Sequence, residues 1–176
     1  MNNIVIYESK YGSTEKYAKW IGEELNCSVS RIGDINIDEL ANYDNIIFGG
    51  WVHAGSLKGF KKIYDNIDKL KDKNILVFAV GLATIEDKDY QEFKEKTFKY
   101  FNNLKHFYLR GAFDFNSLAF SDKMMMRIFK IILKRQKPEN RDEKIQGMLN
   151  AYAKPVDFTD KECIKPIVEV VKKLNL

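Results

Sequence analysis

Ile4-Val5-Ile6-Tyr7-Glu8-Ser9-Lys10-Tyr11-Gly12-Ser13-Thr14 is the stretch that decides the fold. Four consecutive apolar, mostly β-branched residues run straight into a short polar turn with one glycine and three hydroxyls. A helical period starts directly after it, with Tyr17, Ala18, Ile21 and Leu25 on one face and Ser13-Thr14 available to cap it. A continuous apolar run, rather than an alternating one, suits a strand buried on both faces, as in a parallel sheet.

The same grammar repeats along the chain. Ile46-Ile47-Phe48, Ile75 to Val80 and His106 to Leu109 are further apolar runs, and Ser28 to Ile32 alternates as an edge strand would. Leu57, Phe60, Tyr64, Ile67 and Leu70 form a second helical stripe. Tyr90, Phe93, Thr97, Phe101 and Leu104 form a third. Thr159 and Glu162 have capping-box spacing ahead of a last helix through Ile167, Val168, Val171 and Leu174. Strands and helices in this order predict an α/β fold, a doubly wound parallel sheet between two helical layers. Residues 114–158 carry no strand-like run and read as a helical insertion within a single domain spanning 1–176.

Composition narrows the function. The 176 residues are 45% hydrophobic, enough to bury a core, and 31% charged. Cys27 and Cys163 are too few and too far apart for a disulfide framework or a metal cluster, so no metal is expected. Met1 to Ile6 carry no basic segment before an apolar run, which argues against a secretory leader and for a cytoplasmic home. No apolar stretch approaches the length of a membrane span. The net charge of +4 is unevenly placed: residues 121–154 hold nine Lys/Arg against four Asp/Glu. Any anionic partner belongs to that segment. No nucleic-acid motif accompanies it, so no nucleic acid is expected.

In an open parallel sheet, ligands bind beyond the carboxyl ends of the strands. The turn from Ser9 through Lys10, Tyr11, Gly12 and Ser13 to Thr14 offers hydroxyls and first-turn N–H groups to a phosphate. An ordinary capped strand-to-helix turn is the competing reading. Lysine-Ser/Thr does not follow the glycines at 50–55, and the first strand lacks a G-x-G-x-x-G, which argues against a nucleoside-triphosphate hydrolase. Gly50, Trp51, Val52, His53, Ala54 and Gly55 read as a second loop, where Trp51 is either a stacking face or a packing aromatic. His53 is either a solvated histidine or a base. Val80, Gly81, Leu82 and Ala83 form a third, small and apolar. No side chain stands out as a catalytic acid or base.

Together the three loops resemble the flavodoxin-like family. Ser9-x-Tyr11-Gly12-Ser13-Thr14 is similar to its Ser/Thr-x-Thr-Gly-Asn-Thr phosphate loop, with Tyr11 and Ser13 departing from the usual residues. The resemblance implies five strands in the order 2-1-3-4-5. It also implies flavin mononucleotide (FMN), its phosphate at residues 9–14 and its ring between residues 50–55 and 80–83. Asp44-x-Ile46-Ile47-x-Gly49, Gly55 and Arg110-Gly111-Ala112-Phe113 resemble the branch of quinone-linked protoporphyrinogen dehydrogenases. That branch implies an oxidoreductase with a porphyrinogen and a quinone as partners. A flavodoxin-type one-electron carrier, docking on protein redox partners, is the alternative.

Within the insertion, Met125, Ile128, Phe129, Ile132 and Leu133 share one helical face, and Lys123, Arg127, Lys130 and Lys134 share another. Three readings stay open. The helix packs on the domain with solvated lysines. Alternatively Lys123, Met125, Arg127 and Lys130 line a site for an anionic flat substrate, or the helix makes a peripheral membrane contact.

Overall fold

The computed structural model describes residues 1–99, 104–135 and 143–175. These residues divide into two compact units, Met1–Gly111 with Thr159–Leu176, and Ala112–Phe158. Phe101 of the third stripe lies outside the described residues.

The first unit is built on strands β1 (Asn3–Tyr7), β2 (Ser28–Arg31), β3 (Asn45–His53), β5 (Asn74–Gly81) and β6 (Lys105–Arg110). They pair in parallel in the order β2-β1-β3-β5-β6. This is the 2-1-3-4-5 order expected of a flavodoxin-like sheet, with β2 at an edge. A short β4 (Ser56–Leu57) folds back antiparallel on β3.

The apolar runs are explained by the two-residue period of a strand. Ile4 and Ile6, Ile46 and Phe48, Val77 and Ala79 face one core, with Leu40, Phe60, Ile63 and Phe93. Val5 and Tyr7, Ile47, Leu76, Phe78 and Val80 face the other. Helices α1 (Ser13–Leu25) and α6 (Lys165–Leu174) close that second core with Tyr17, Ile21, Ile167 and Val171. Helices α2 (Phe60–Tyr64) and α3 (Lys88–Phe98) lie over the first, with a 3-10 turn at Ile37–Asn42.

Three helical expectations change. Leu104 of the third stripe is not helical: α3 ends at Phe98, and Leu104 directly precedes β6. The stripe from Leu57 to Leu70 is not one helix. Leu57 belongs to β4, α2 ends at Tyr64, and a separate 3-10 turn covers Ile67–Leu70. Asn66 sits at the break, where its amide donates to the Lys62 carbonyl (3.0 Å). Such local bonding competes with a continuing helix. Ahead of the last helix, Asp160 and not Thr159 is the capping residue, and what it caps is a separate 3-10 turn, Lys161–Ile164; α6 itself follows Ile164 with no side-chain cap among the described residues. The Asp160 carboxylate accepts from the Glu162 N–H (2.9 Å), while the Thr159 hydroxyl accepts from Lys16 Nζ (2.7 Å).

The second unit opens and closes with a two-stranded ribbon, β7 (Ala112–Phe113) against β8 (Val156–Asp157). Residues 114–158 are expected to hold no strand, yet β8 lies among them, because a two-residue strand leaves no periodic signal. Between them lie α4 (Phe120–Arg135) and α5 (Glu143–Ala151).

A polar ladder pins the amino-terminal edge of the sheet. Asn45 is fully buried. Its Nδ2 donates to Asn3 Oδ1 and Asn175 Oδ1 (2.7 Å each), and its Oδ1 accepts from Asn74 Nδ2 (2.8 Å). One side chain thus ties β1, β3, β5 and the end of α6. Asn45→Leu removes all three bonds and strands its partners, so urea unfolding should show a loss of about 2–4 kcal/mol. A neutral result would remove the ladder from the account of stability.

Candidate functional site

The first segment leaves β1 at Tyr7 and is fastened before it turns. The Glu8 N–H donates to the Gly49 carbonyl (2.8 Å), so the turn is anchored to β3. Ser9 is buried, and its Oγ accepts from the Gly12 N–H (3.1 Å), the serine turn that such a short hydroxyl favours. Its carbonyl accepts from Arg31 Nη2 (2.7 Å), reaching across from β2.

Gly12 takes φ +91°, a left-handed conformation costly for any residue with a Cβ. No atom lies within 4 Å of where that Cβ would stand. Gly12 is the N-cap of α1, and among the described residues no side chain caps it. The Lys16 N–H makes the first helical bond, to the Gly12 carbonyl (2.9 Å). The first-turn N–H groups therefore precede the helical ladder, at the positive end of a 13-residue helix. Thr14 is buried and Ser13 half-buried. Ser13 and Thr14 are helical residues here and not the cap. The donor set is main-chain amides plus short hydroxyls around an open glycine, which suits the oxygens of a phosphate.

The second segment is not a loop. Gly50, Trp51, Val52 and His53 continue β3, and Ala54-Gly55 is a two-residue hairpin turn into β4. Both turn residues have positive φ (48° and 71°), as a type I′ turn requires. Gly50 also has a local reason to be glycine: a Cβ there would stand 2.6 Å from the Lys58 carbonyl on the returning chain. The glycine makes room for the returning strand of the hairpin.

Trp51 and His53 stay half-buried at the strand end, their rings 5.0 Å apart. Tyr11 meets Trp51 edge to face at 6.5 Å. Lys10 Nζ lies 5.5 Å from the Tyr11 ring and 5.6 Å from that of Trp51. The first and second segments thus meet through an aromatic pair with a cation over it.

The third segment is adjacent by register, since Val80 pairs with Trp51. The Val80 side chain is buried in the second core, leaving only its main chain to the surface. Leu82 is exposed, and Gly81 and Ala83 are half-buried. Sequence reasoning missed what holds this segment. Tyr108 on β6 is hydrogen-bonded to the main chain of Ala83, and its hydroxyl lies 2.1 Å from where a Cβ at Gly81 would be. Burial pushes its phenol up to about 12. The available signal was a tyrosine in an apolar strand, whose hydroxyl needs a partner when buried.

The four insertion residues proposed for an anionic substrate are on α4 in the second unit and are not equivalent. Lys123 donates to the Asn116 carbonyl (2.8 Å) and lies over the Phe115 ring, and Lys130 lies over Tyr152 (4.9 Å). Met125 and Arg127 are exposed.

Residues 4–140 match the Flavodoxin domain family model. The chain belongs to the flavodoxin domain family. The cofactor of this family is FMN, and the phosphate-suited donor set at residues 9–14 fits it. An uncharacterized protein of Methanocaldococcus jannaschii is 31% identical over 98 residues, which are 54% of this chain and 65% of that protein. The chain therefore spans just under two thirds of that relative. Among solved structures, oxidised Flavodoxin 1 from Bacillus cereus is 20% identical, covering 73% of this chain and 94% of its own, with a TM-score of 0.47. A flavodoxin from the domain Archaea is 16% identical, covering 98% and 99%, with a TM-score of 0.45.

The Tyr108 environment carries a pH signature in this flavodoxin domain. The folded phenol stays protonated to about pH 12, whereas the unfolded one ionises near 10. The unfolded state therefore sheds the proton first, and stability falls as pH rises from about 10 to 12. Tyr108→Phe should flatten that part of the pH–stability curve. An unchanged slope would show that the phenol ionises equally in both states.

Proposed function

We propose that this flavodoxin domain is an FMN-dependent oxidoreductase that takes electrons from a reduced organic substrate and passes them to a quinone. The observation that supports a flavin site best is the convergence of three segments on one end of the sheet. The α1 amino terminus with Gly12, the Tyr11–Trp51 ring pair and the Gly81–Ala83 turn follow the neighbouring strands β1, β3 and β5.

Bound there, FMN supplies the redox chemistry, accepting and releasing electrons singly or in pairs. The chain's own residues divide the remaining work. Ser9, Ser13 and Thr14, with the first-turn amides, hold the phosphate. Gly12 leaves its oxygens room to approach. Trp51 and Tyr11 give an apolar border, and the main chain at Val52, His53, Gly81 and Leu82 lines the ring edges. Ala54 and Gly55 fix the hairpin that carries Trp51, and Lys10 adds a positive charge above the two rings.

We assign the electron donor to the porphyrinogen class. Each turnover would remove two electrons and two protons from it and convert a quinone to a quinol. The support is the resemblance carried by residues 44–55 and 110–113, together with the basic character of 121–154. The second reading is a one-electron carrier docking on an acidic protein, which the family itself favours. A potentiometric titration separates the two. A single two-electron wave supports the oxidoreductase, and two well-separated one-electron waves support the carrier.

The phosphate assignment makes a sharper demand. Gly12→Glu places a carboxylate against the phosphate and should lower FMN affinity by about a hundredfold or more. Gly12→Ala imposes the same backbone strain without the charge, so it should retain most of the affinity. Equal loss in both variants, measured by flavin fluorescence, would indicate distortion of the turn and remove the charge argument.

A further inference from the structure

Helix α4 is packed against the expectation for an amphipathic helix. Its inward face in the second unit is made by Asp122, Met126 and Leu133. Asp122 and Leu133 are buried, and the Met126 carbonyl accepts from the Tyr152 hydroxyl (2.9 Å). Lys123 and Lys130 fold over Phe115 and Tyr152 on that same side. The apolar arc is left outside. Ile128, Ile131 and Ile132 are 55%, 53% and 52% exposed, and Met124, Met125 and Phe129 are exposed beside them. Of Met125, Ile128, Phe129, Ile132 and Leu133, which share a face by period, only Leu133 is buried.

The charges around that arc have one sign. Asp122 is the helix's one acidic residue and it is buried, while Arg127, Lys134 and Arg135 are exposed at the arc or its margin. Sixteen residues give a helix about 24 Å long, and among the described residues no helix is long and apolar enough to cross a membrane.

We propose that α4 lies in the interface of an anionic lipid bilayer, its isoleucines, methionines and Phe129 among the acyl chains and its cations at the headgroups. Charge and shape select this occupant. A broad convex apolar face with a basic margin is what an interfacial helix presents, and acidic lipids attract each nearby cation. A second copy would bring the same cations against its own, with no exposed carboxylate on the helix to pair them. This placement does not depend on the flavin site and would bring a domain that reduces quinones to where quinones dissolve.

The test is flotation of the full chain with phosphatidylcholine vesicles, with and without phosphatidylglycerol, at low and high salt, using flavin-loaded and flavin-free protein. Flotation should require phosphatidylglycerol and fall by about tenfold or more on raising the salt. Ile128→Asp with Ile131→Asp should lower it by about tenfold or more with an unchanged circular dichroism spectrum. Arg127→Glu with Lys134→Glu should erase the preference for phosphatidylglycerol. Failure of the unaltered chain to float at low salt would overturn the proposal, and so would flotation that the isoleucine pair leaves untouched. Self-association lost in the isoleucine pair, without flotation, would assign the face to a second copy and also overturn it.

Discussion

Burial on both faces is the constraint from which the rest of this structure follows. Alternate residues of β1, β3 and β5 enter two different cores, so these strands offer no chemistry along their length. Only their ends remain. The amino ends carry the Asn3–Asn45–Asn74–Asn175 ladder, which satisfies the buried Asn45 amide. At the carboxyl ends the chain must turn out of the sheet, and there it places glycines, hydroxyls and the Tyr11–Trp51 pair.

That end of the sheet is supported from the neighbouring strands. Arg31 on β2 holds the Ser9 carbonyl, and Tyr108 on β6 holds the main chain at Ala83. The two outer strands thus brace the segments that follow the inner ones. Such bracing suits the proposed phosphate site, since main-chain donors act only if they are already aimed.

The sequence made the sheet legible because β-branched runs buried on both faces leave a strong, uninterrupted apolar signal. The positions of residues 9–14 and 80–83 followed from strand ends. The segment at 50–55 ends a strand as expected, but as strand and hairpin turn and not as a loop. Trp51-Val52-His53 carries neither a turn signal nor a strand alternation, and Ala54-Gly55 is an unusual form of a tight hairpin turn. Thr159 has the spacing of a cap, yet its hydroxyl is taken by Lys16, and Asp160 caps a 3-10 turn that precedes α6, a break that an apolar period does not register. The insertion shows the limit most clearly. A 3.6-residue period locates an apolar face on α4 and says nothing of whether that face is covered. The Tyr108 contact was out of reach, since it depends on which strand lies beside Gly81.

The central claim is that residues 9–14 hold the phosphate of FMN. Comparing the affinities of FMN and riboflavin for the purified chain tests it most directly, because the two ligands share a ring system and differ in the phosphate. The account expects FMN to bind about a hundredfold tighter or more, with the difference shrinking when inorganic phosphate competes. Equal affinity for the two flavins, or no uptake of either, would contradict it.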